Sequence, residues 1–263
     1  MKNVTFLELG LTNLTYLENG LFCKKSNFIV DDFLDRKNEF QVLKEISNLE
    51  NSVLIKPVKF GFKSNLFTSS YEYFDDSETL ESREINPEII LEIAKAIKKM
   101  HEIKLKNSKV KKFNFKKILN FFEENTKNLI FDLIPFKEKI YKIINENQIT
   151  EFTFCHNDLV PGNFLFTNSG LKIIDYDFAS LNDPLFDLAS FVSETLKQDP
   201  LFTRTFLKEF DLTIDEYKKV TNYIFYQNYL WCYWAMYMFQ RTEKNIFQKI
   251  AKDKYEQLIN TKF

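Results

Sequence analysis

The stretch Phe154–Phe191 reads FCHNDLVPGNFLFTNSGLKIIDYDFASLNDPLFDLASF. His156, Asn157 and Asp158 open it; Asn163 follows five residues after the aspartate, and Asp175 twelve residues after that. The apolar runs Phe164-Leu165-Phe166 and Leu171-Lys172-Ile173-Ile174, on either side of Asn168-Ser169-Gly170, predict two short strands and a turn. Asn163 and Asp175 then sit at the edges of one hairpin, where their oxygens can share a cation. Phosphoryl transfer from a nucleotide needs a carboxylate to orient the attacking hydroxyl and oxygen ligands that hold magnesium against the phosphates. In this spacing Asp158 is the candidate base, Asn163 and Asp175 are the candidate metal ligands, and His156 is a brace for the loop. The plain alternative is a polar hairpin of satisfied turn residues, since Asn, Asp and Gly are common in turns. So long a spaced pattern argues against it.

The rest of the composition limits the options. A chain of 263 residues can bury a sizeable core as one domain or two intimate lobes. With 44% hydrophobic and 28% charged residues it reads as an ordinary soluble globular protein. A net charge of −1 and a pI near 6.2 give no basic excess for nucleic acid. The densest lysine run, from Lys104 to Lys117, reads as a solvated linker and helix start, with a membrane or partner contact as the alternative. Cys23, Cys155 and Cys232 are too few and scattered for a disulfide framework or a metal cluster, which fits a reducing compartment. The opening MKNVTFLELG lacks the apolar core of a signal peptide, and the most apolar run, Leu230 to Phe239, is too short to span a bilayer. A cytoplasmic protein without membrane insertion is expected.

Taken in order, residues 4–9, 14–18, 21–24, 28–30, 53–62 and 65–73 read as strands punctuated by Gly10, Gly20 and Gly61. One helix interrupts them over about 36–49, with Asp35 as N-cap and Phe40, Leu43, Ile46 and Leu49 at helical spacing. A helix from Pro87 carries Ile89, Ile93, Ile97 and Met100 on one stripe behind an Asn86 cap, and His101 at its end reads as a packed residue. Two more helices are expected between 113 and 148, parted near Pro135. Another follows Asp183-Pro184, and 200–261 is helical throughout. The class is α+β.

HNDLVPGNF with IIDYDFASLNDPLFDLASF, GLTNLTY at Gly10–Tyr16 and DRKNEF at Asp35–Phe40 resemble the LicA-type bacterial choline kinases over most of the chain. These belong to the choline/ethanolamine kinase and aminoglycoside phosphotransferase group. The resemblance implies a protein-kinase-like bilobal fold. Residues 1–74 would form the small antiparallel-sheet nucleotide-binding lobe with one helix and the hinge, and 75–263 a larger, mainly helical catalytic and substrate-binding lobe. ATP and magnesium are the implied cofactors. In such an amino lobe a strand lysine pairs with a helix glutamate and meets the phosphates. Lys24, which falls where the family commonly has an arginine, and Glu39 are the candidates. Lys25 competes, because strand neighbours point to opposite faces. Gly10, Leu11, Thr12 and Asn13 would form the phosphate-covering turn, an assignment that rests on the resemblance because one glycine is a weak anion-binding signal. The hinge Ser70–Phe74, with Tyr71, would meet the adenine. Asp187 would brace the catalytic loop, and Asp177, on the same side of an extended segment as Asp175, would take a supporting or substrate role.

Residues 223–241 read YIFYQNYLWCYWAMYMFQR, with Trp231 and Trp234 three apart on one helix face. A trimethylammonium group has no N–H to donate and is recognised by aromatic faces through cation–π attraction. The two tryptophans match the family's aromatic wall, and Glu194 falls where similar choline kinases place an acid. Without that resemblance an aromatic stripe at this spacing reads as core. The expectation is a choline kinase, monomeric or homodimeric, that transfers the γ-phosphate of ATP to choline. The rivals are the same chemistry on ethanolamine, thiamine or an aminoglycoside, and a non-catalytic binding protein on a kinase-like fold.

Overall fold

The computed structural model describes residues 4–7, 11–50, 53–106 and 109–261. These residues pack into two compact units, one within 1–111 and 153–181, the other within 112–152 and 182–263.

The first unit holds a five-stranded antiparallel sheet. Its strands are β1 (Val4–Leu7), β2 (Leu14–Glu18), β3 (Leu21–Lys25), β4 (Pro57–Lys63) and β5 (Leu66–Glu72), in the order β1-β2-β3-β5-β4. Two-residue turns close two of its hairpins. Asn19 and Gly20 join Glu18 to Leu21 at φ 54 and 75, and Ser64 and Asn65 join Lys63 to Leu66 at φ 50 and 65. Positive φ at both turn positions matches the right-handed twist of the flanking strands, which is why Asn and Gly recur there. Residues 28–30, expected as a strand, instead form the short helix α1 (Phe28–Asp31). The Asn27 side chain accepts from the backbone N–H of Ile29 and Val30, and this cap outweighs the β-preference of three apolar residues. Helix α2 (Arg36–Ser47) starts at the expected cap, Asp35 accepting from the Asn38 N–H, and buries Val42, Leu43 and Ile46 completely.

The same unit contains α3 (Pro87–His101) and four further short strands. These are β6 (Glu78–Thr79), β7 (Thr153–Cys155), β8 (Phe164–Thr167) and β9 (Gly170–Ile173), with β6-β8-β9 forming a three-stranded antiparallel sheet. Ile90, Ile93, Ala94, Ile97 and Met100 of α3 are fully buried; the stripe read from the sequence holds at Ile93, Ile97 and Met100, whereas Ile89 is half-buried and Ile90 takes the core position. Packing therefore groups the hairpin with the N-terminal sheet, whereas a lobe boundary at 74 places it with the later helices. The reason is local: Ile173 donates to the Val53 carbonyl at 2.8 Å, and β6 pairs with β8 through Glu78 and Phe166.

The second unit is helical: α4 (Phe115–Asn125), α5 (Ile134–Glu146), α6 (Pro184–Ser190), α7 (Pro200–Leu207), α8 (Ile214–Thr242) and α9 (Asn245–Asn260). Pro135 lies in the first turn of α5 rather than between helices, where its missing N–H costs no helical hydrogen bond. Helix α8 is the axis. A capping box, Thr213 with Glu216, starts it, and a continuous run from Tyr223 to Tyr233 is buried. Phe115, Phe186 and Tyr223 form a ring cluster with centroids 5.4–5.7 Å apart. Its polar tips are satisfied: the Tyr226 hydroxyl donates to the Phe115 carbonyl at 2.8 Å, and that of Tyr223 to Asp183 and Asn147 at 2.9 Å.

Candidate active site

The β8–β9 hairpin brings the polar residues of its two ends together. The Ile174 N–H donates to the Asn163 carbonyl at 3.0 Å, so Asn163 is hydrogen-bonded across the hairpin mouth to the residue that precedes Asp175. The Asn163 side chain is 7% exposed, and its Nδ2 donates to the Asp158 carbonyl at 2.8 Å and approaches the Asp158 carboxylate at 3.4 Å. That orientation leaves Oδ1 as the atom that would face a metal ion. Behind the loop, His156 is fully buried with Nε2 at 2.9 Å from the Ile174 carbonyl. Asn157 adds a brace that sequence reasoning overlooked. At φ 66 it occupies the left-handed region that Asn tolerates, and its Nδ2 donates at 2.8 Å to the Phe178 carbonyl and to the Ser180 hydroxyl.

Asp175 also adopts positive φ, 66, so the backbone is not extended at this point. Tyr176 then turns into the core, its hydroxyl donating to the carbonyls of Ile173 at 2.8 Å and Ile55 at 3.0 Å. With Tyr176 anchored, Asp175 and Asp177 meet one ammonium: Lys24 Nζ lies 2.5 Å from Asp175 Oδ1 and 3.0 Å from Asp177 Oδ1. Lys24 is 7% exposed and its neighbour Lys25 half-buried, so Lys24 is the lysine that reaches the site. Burial alone would lower Lys24, but Asp175 and Asp177 override it and hold the lysine protonated, above its ordinary value.

The expected Lys24–Glu39 pair is replaced by a different wiring. Glu39, 2% exposed, accepts from Arg36 Nη1 at 2.6 Å, while Lys24 is taken by the two aspartates. Arg36, which sequence reasoning did not single out, is the hub. Its Nε donates to Asp31 at 2.7 Å, its Nη1 also reaches Asp177 at 3.2 Å, and its Nη2 donates to Asn13 Oδ1 at 2.7 Å. Burial raises the Asp177 carboxyl, yet Lys24 and Arg36 together hold it far below the usual carboxylate range. Burial and Asp177 push Glu39 the other way, to about 8, against the pull of Arg36. A signal for Arg36 was available. An arginine in the first turn of a helix opposes the macrodipole and so calls for a specific acidic partner.

Of the phosphate turn, Gly10 lies outside the described residues. Leu11 is exposed. The side chains of Thr12 and Asn13 are engaged with Asp177, at 3.5 and 2.7 Å. Tyr71 is buried in β5 between Phe22 of β3 and Pro57 of β4, and the strand ends after Glu72, so the chain leaves the ladder at Tyr73.

The residues present suit a magnesium ion. Asn163 and Asp175 offer hard oxygen donors, and the Asp175 side chain is a third exposed.

In the helical unit, Trp231 and Trp234 stand edge to face with centroids 6.1 Å apart, and Trp234 packs on Phe247 of α9 at 5.6 Å. Trp231 is 6% exposed and Trp234 half-buried. Glu194, in a π-helical turn that continues α6, does not present a bare charge. Its Oε1 lies 2.5 Å from Nζ of Lys254, a lysine of α9 that is itself 2% exposed. Asp187 is fully buried on α6.

The family model described as choline/ethanolamine kinase matches residues 28–259. Protein LicA of Haemophilus influenzae is 28% identical over 227 residues, 75% of this chain and 76% of that protein. A probable ethanolamine kinase of Arabidopsis thaliana is 32% identical over 152 residues, 51% of this chain and 39% of that protein. Among solved structures, the choline kinase LicA from Streptococcus pneumoniae aligns at a TM-score of 0.78 and 20% identity, covering 98% of this chain and 92% of that one. That likeness shows a protein-kinase-like fold, and the family match spans most of the sequence. The chain belongs to the choline/ethanolamine kinase family.

Proposed function

We propose that this chain is a choline kinase, an ATP-dependent phosphotransferase whose acceptor is the hydroxyl of choline. The observation that carries the reading is the arrangement at the hairpin mouth, where Asn163 is hydrogen-bonded to the loop of Asp158 and lies beside the Asp175 segment with Lys24 alongside. In the reaction the acceptor oxygen forms a bond to the γ-phosphorus while the bond from that phosphorus to the β–γ bridging oxygen breaks. ADP leaves, and the hydroxyl proton passes to the Asp158 carboxylate. Asn163 and Asp175 would hold magnesium, which when bound would supply charge neutralisation of the phosphates. Lys24 steadies the phosphate oxygens, and catalysis is mainly positioning and charge stabilisation. Thr12 and Asn13 belong to the turn over the phosphates, and the backbone near Tyr71 to the adenine side. The functional lobes divide near residue 74, as in other kinase-like enzymes, although packing unites the hairpin with the sheet.

Choline is favoured over a primary amine by the state of Glu194. A primary ammonium seeks hydrogen-bond acceptors, but the acid on this wall is already neutralised by Lys254. The aromatic faces of Trp231 and Trp234 are the remaining recognition element, and they suit a quaternary ammonium. Ethanolamine is the second reading, favoured by the 32% identity to a probable ethanolamine kinase. Among the described residues no helix is long and apolar enough to cross a membrane.

The test is magnesium-dependent ADP release with ATP and choline, ethanolamine, thiamine or kanamycin, for wild type and Asp158→Asn. Choline turnover that is lost in the variant is the expected result. Preference for ethanolamine would keep the kinase and discard the aromatic choice of acceptor. ATP binding without turnover on any of the four would refute the choline reading.

A further inference from the structure

Three side chains of the first unit form a closed ring in which each is bonded to both others. Arg36 donates to Asn13 Oδ1 at 2.7 Å and to Asp177 Oδ1 at 3.2 Å, and Asn13 Nδ2 donates to Asp177 Oδ2 at 2.7 Å. Two corners are deeply enclosed, Arg36 at 7% exposure and the Asp177 side chain at 5%. The guanidinium is fixed independently by Asp31 and Glu39, at 2.7 and 2.6 Å. Asn13 extends the ring into its turn through the Thr12 hydroxyl at 3.2 Å, and Asn27 donates to the Thr12 carbonyl. Asp177 stands two residues beyond Asp175, so the ring ties the turn over the phosphates to the segment that carries a metal-ligand candidate.

We propose that Arg36 is a positioning residue for the polyphosphate end of the nucleotide, acting through Asp177 and Asn13 without touching phosphate itself. The inference rests on the kinase reading of the site. Glycine-rich phosphate loops mould themselves to the ligand by backbone freedom. Gly10 is the one glycine before Gly20. Here side chains hold the turn in place, and the planar fork of an arginine can serve several acceptors at fixed angles where a lysine cannot. Fixing the turn before the ligand arrives lowers the ordering cost of binding at the β- and γ-phosphates. The adenosine and α-phosphate end gains nothing from it.

The experiment is calorimetric binding of AMP, ADP and ATP to the full chain, in EDTA and again with magnesium, for wild type, Arg36→Met, Arg36→Lys, Asn13→Ala and Arg36→Met with Asn13→Ala. Wild type is measured first, because absence of ADP binding there would refute the kinase reading and not this proposal. Loss of charge-assisted hydrogen bonds from the ring should weaken ADP and ATP by about 10–100-fold in Arg36→Met while AMP stays within about twofold. Arg36→Lys should fall between, Asn13→Ala should show the same selective loss, and the double variant should be no worse than Arg36→Met. Equal weakening of all three nucleotides would mean a merely structural arginine and overturn the proposal. So would additive losses in the double variant. Should Arg36→Met fail to fold, unchanged ADP affinity in Asn13→Ala decides against it.

Discussion

The two units bury charge in opposite ways. In the first, two cations, Lys24 and Arg36, face four carboxylates, Asp31, Glu39, Asp175 and Asp177. Even if Glu39 takes the proton toward which burial pushes it, three carboxylates remain against two cations. In the second, Glu194 and Lys254 are matched one to one. An excess of buried carboxylate is costly by itself and is relieved by a further cation, so the first arrangement fits the metal ion proposed for it. The matched pair is closed. It exerts little net field, and in the function proposed above the recognition of a cation falls to the aromatic rings. The contrast separates a site that gathers charge from one that reads shape.

The contrast can be attacked at its strongest point. Lys254→Met should destabilise the chain by about 3–5 kcal/mol, because it strands Glu194 in a buried position, and adding Glu194→Gln should restore most of that. Urea unfolding curves of both variants measure it; a single variant as stable as wild type would show that the pair is not closed.

Asp175→Asn reduces the carboxylate excess directly. We expect turnover at saturating choline to fall by about 10²–10³-fold, with a higher magnesium requirement, in steady-state assays across a magnesium titration. An unaltered magnesium dependence would remove Asp175 from the metal site.

Trp234→Ala tests the aromatic side. Loss of one ring face of about 0.5–2 kcal/mol should raise the KM for choline about 2- to 30-fold and leave that for ATP unchanged. Glu194→Gln in the presence of Lys254 should change choline KM less than this. The reverse order would make the acid, not the ring, the recognition element.

The smallest effect concerns acid. Asp177 is held below its ordinary value, so its contribution to stability is complete above the unfolded carboxylate pKa and declines as pH falls below about 4. Thermal unfolding between pH 3 and about 6 should show a shallower acid decline in Asp177→Asn than in wild type. A parallel decline in the two proteins would indicate that Asp177 is not engaged by Lys24 and Arg36.

Local spacing explains what could be read without coordinates. The hairpin was legible because its ligands, its strands and its turn lie within one stretch, and the caps Asp35, Asn86 and Asp183 act two or three residues away. The ring was not. Arg36 and Asp177 are 141 residues apart, and nothing near Arg36 names its partner except the oddity of a cation in the first turn of a helix. Glu194 and Lys254 were hidden for the same reason. The sequence around Glu194 resembles that of enzymes with an acid there, but its neutralisation depends on the packing of α9. The strand reading of 28–30 failed differently, because three apolar residues in a row conceal the cap that Asn27 supplies.

Synthesis runs from the N-terminus, and that gives the Lys24–Asp175 pair a temporal side. The two are 151 residues apart, an interval of about 8–30 s at 5–20 residues per second. The N-terminal hairpins have short-range contacts and can form at once. Arg36 already has Asp31 and Glu39 close by in sequence, but Lys24 has to wait in water until Asp175 and Asp177 emerge. Closure of the charged interior is therefore a late event on the ribosome, and a nascent chain halted before Asp175 would carry a sheet that is folded in outline and open at its centre.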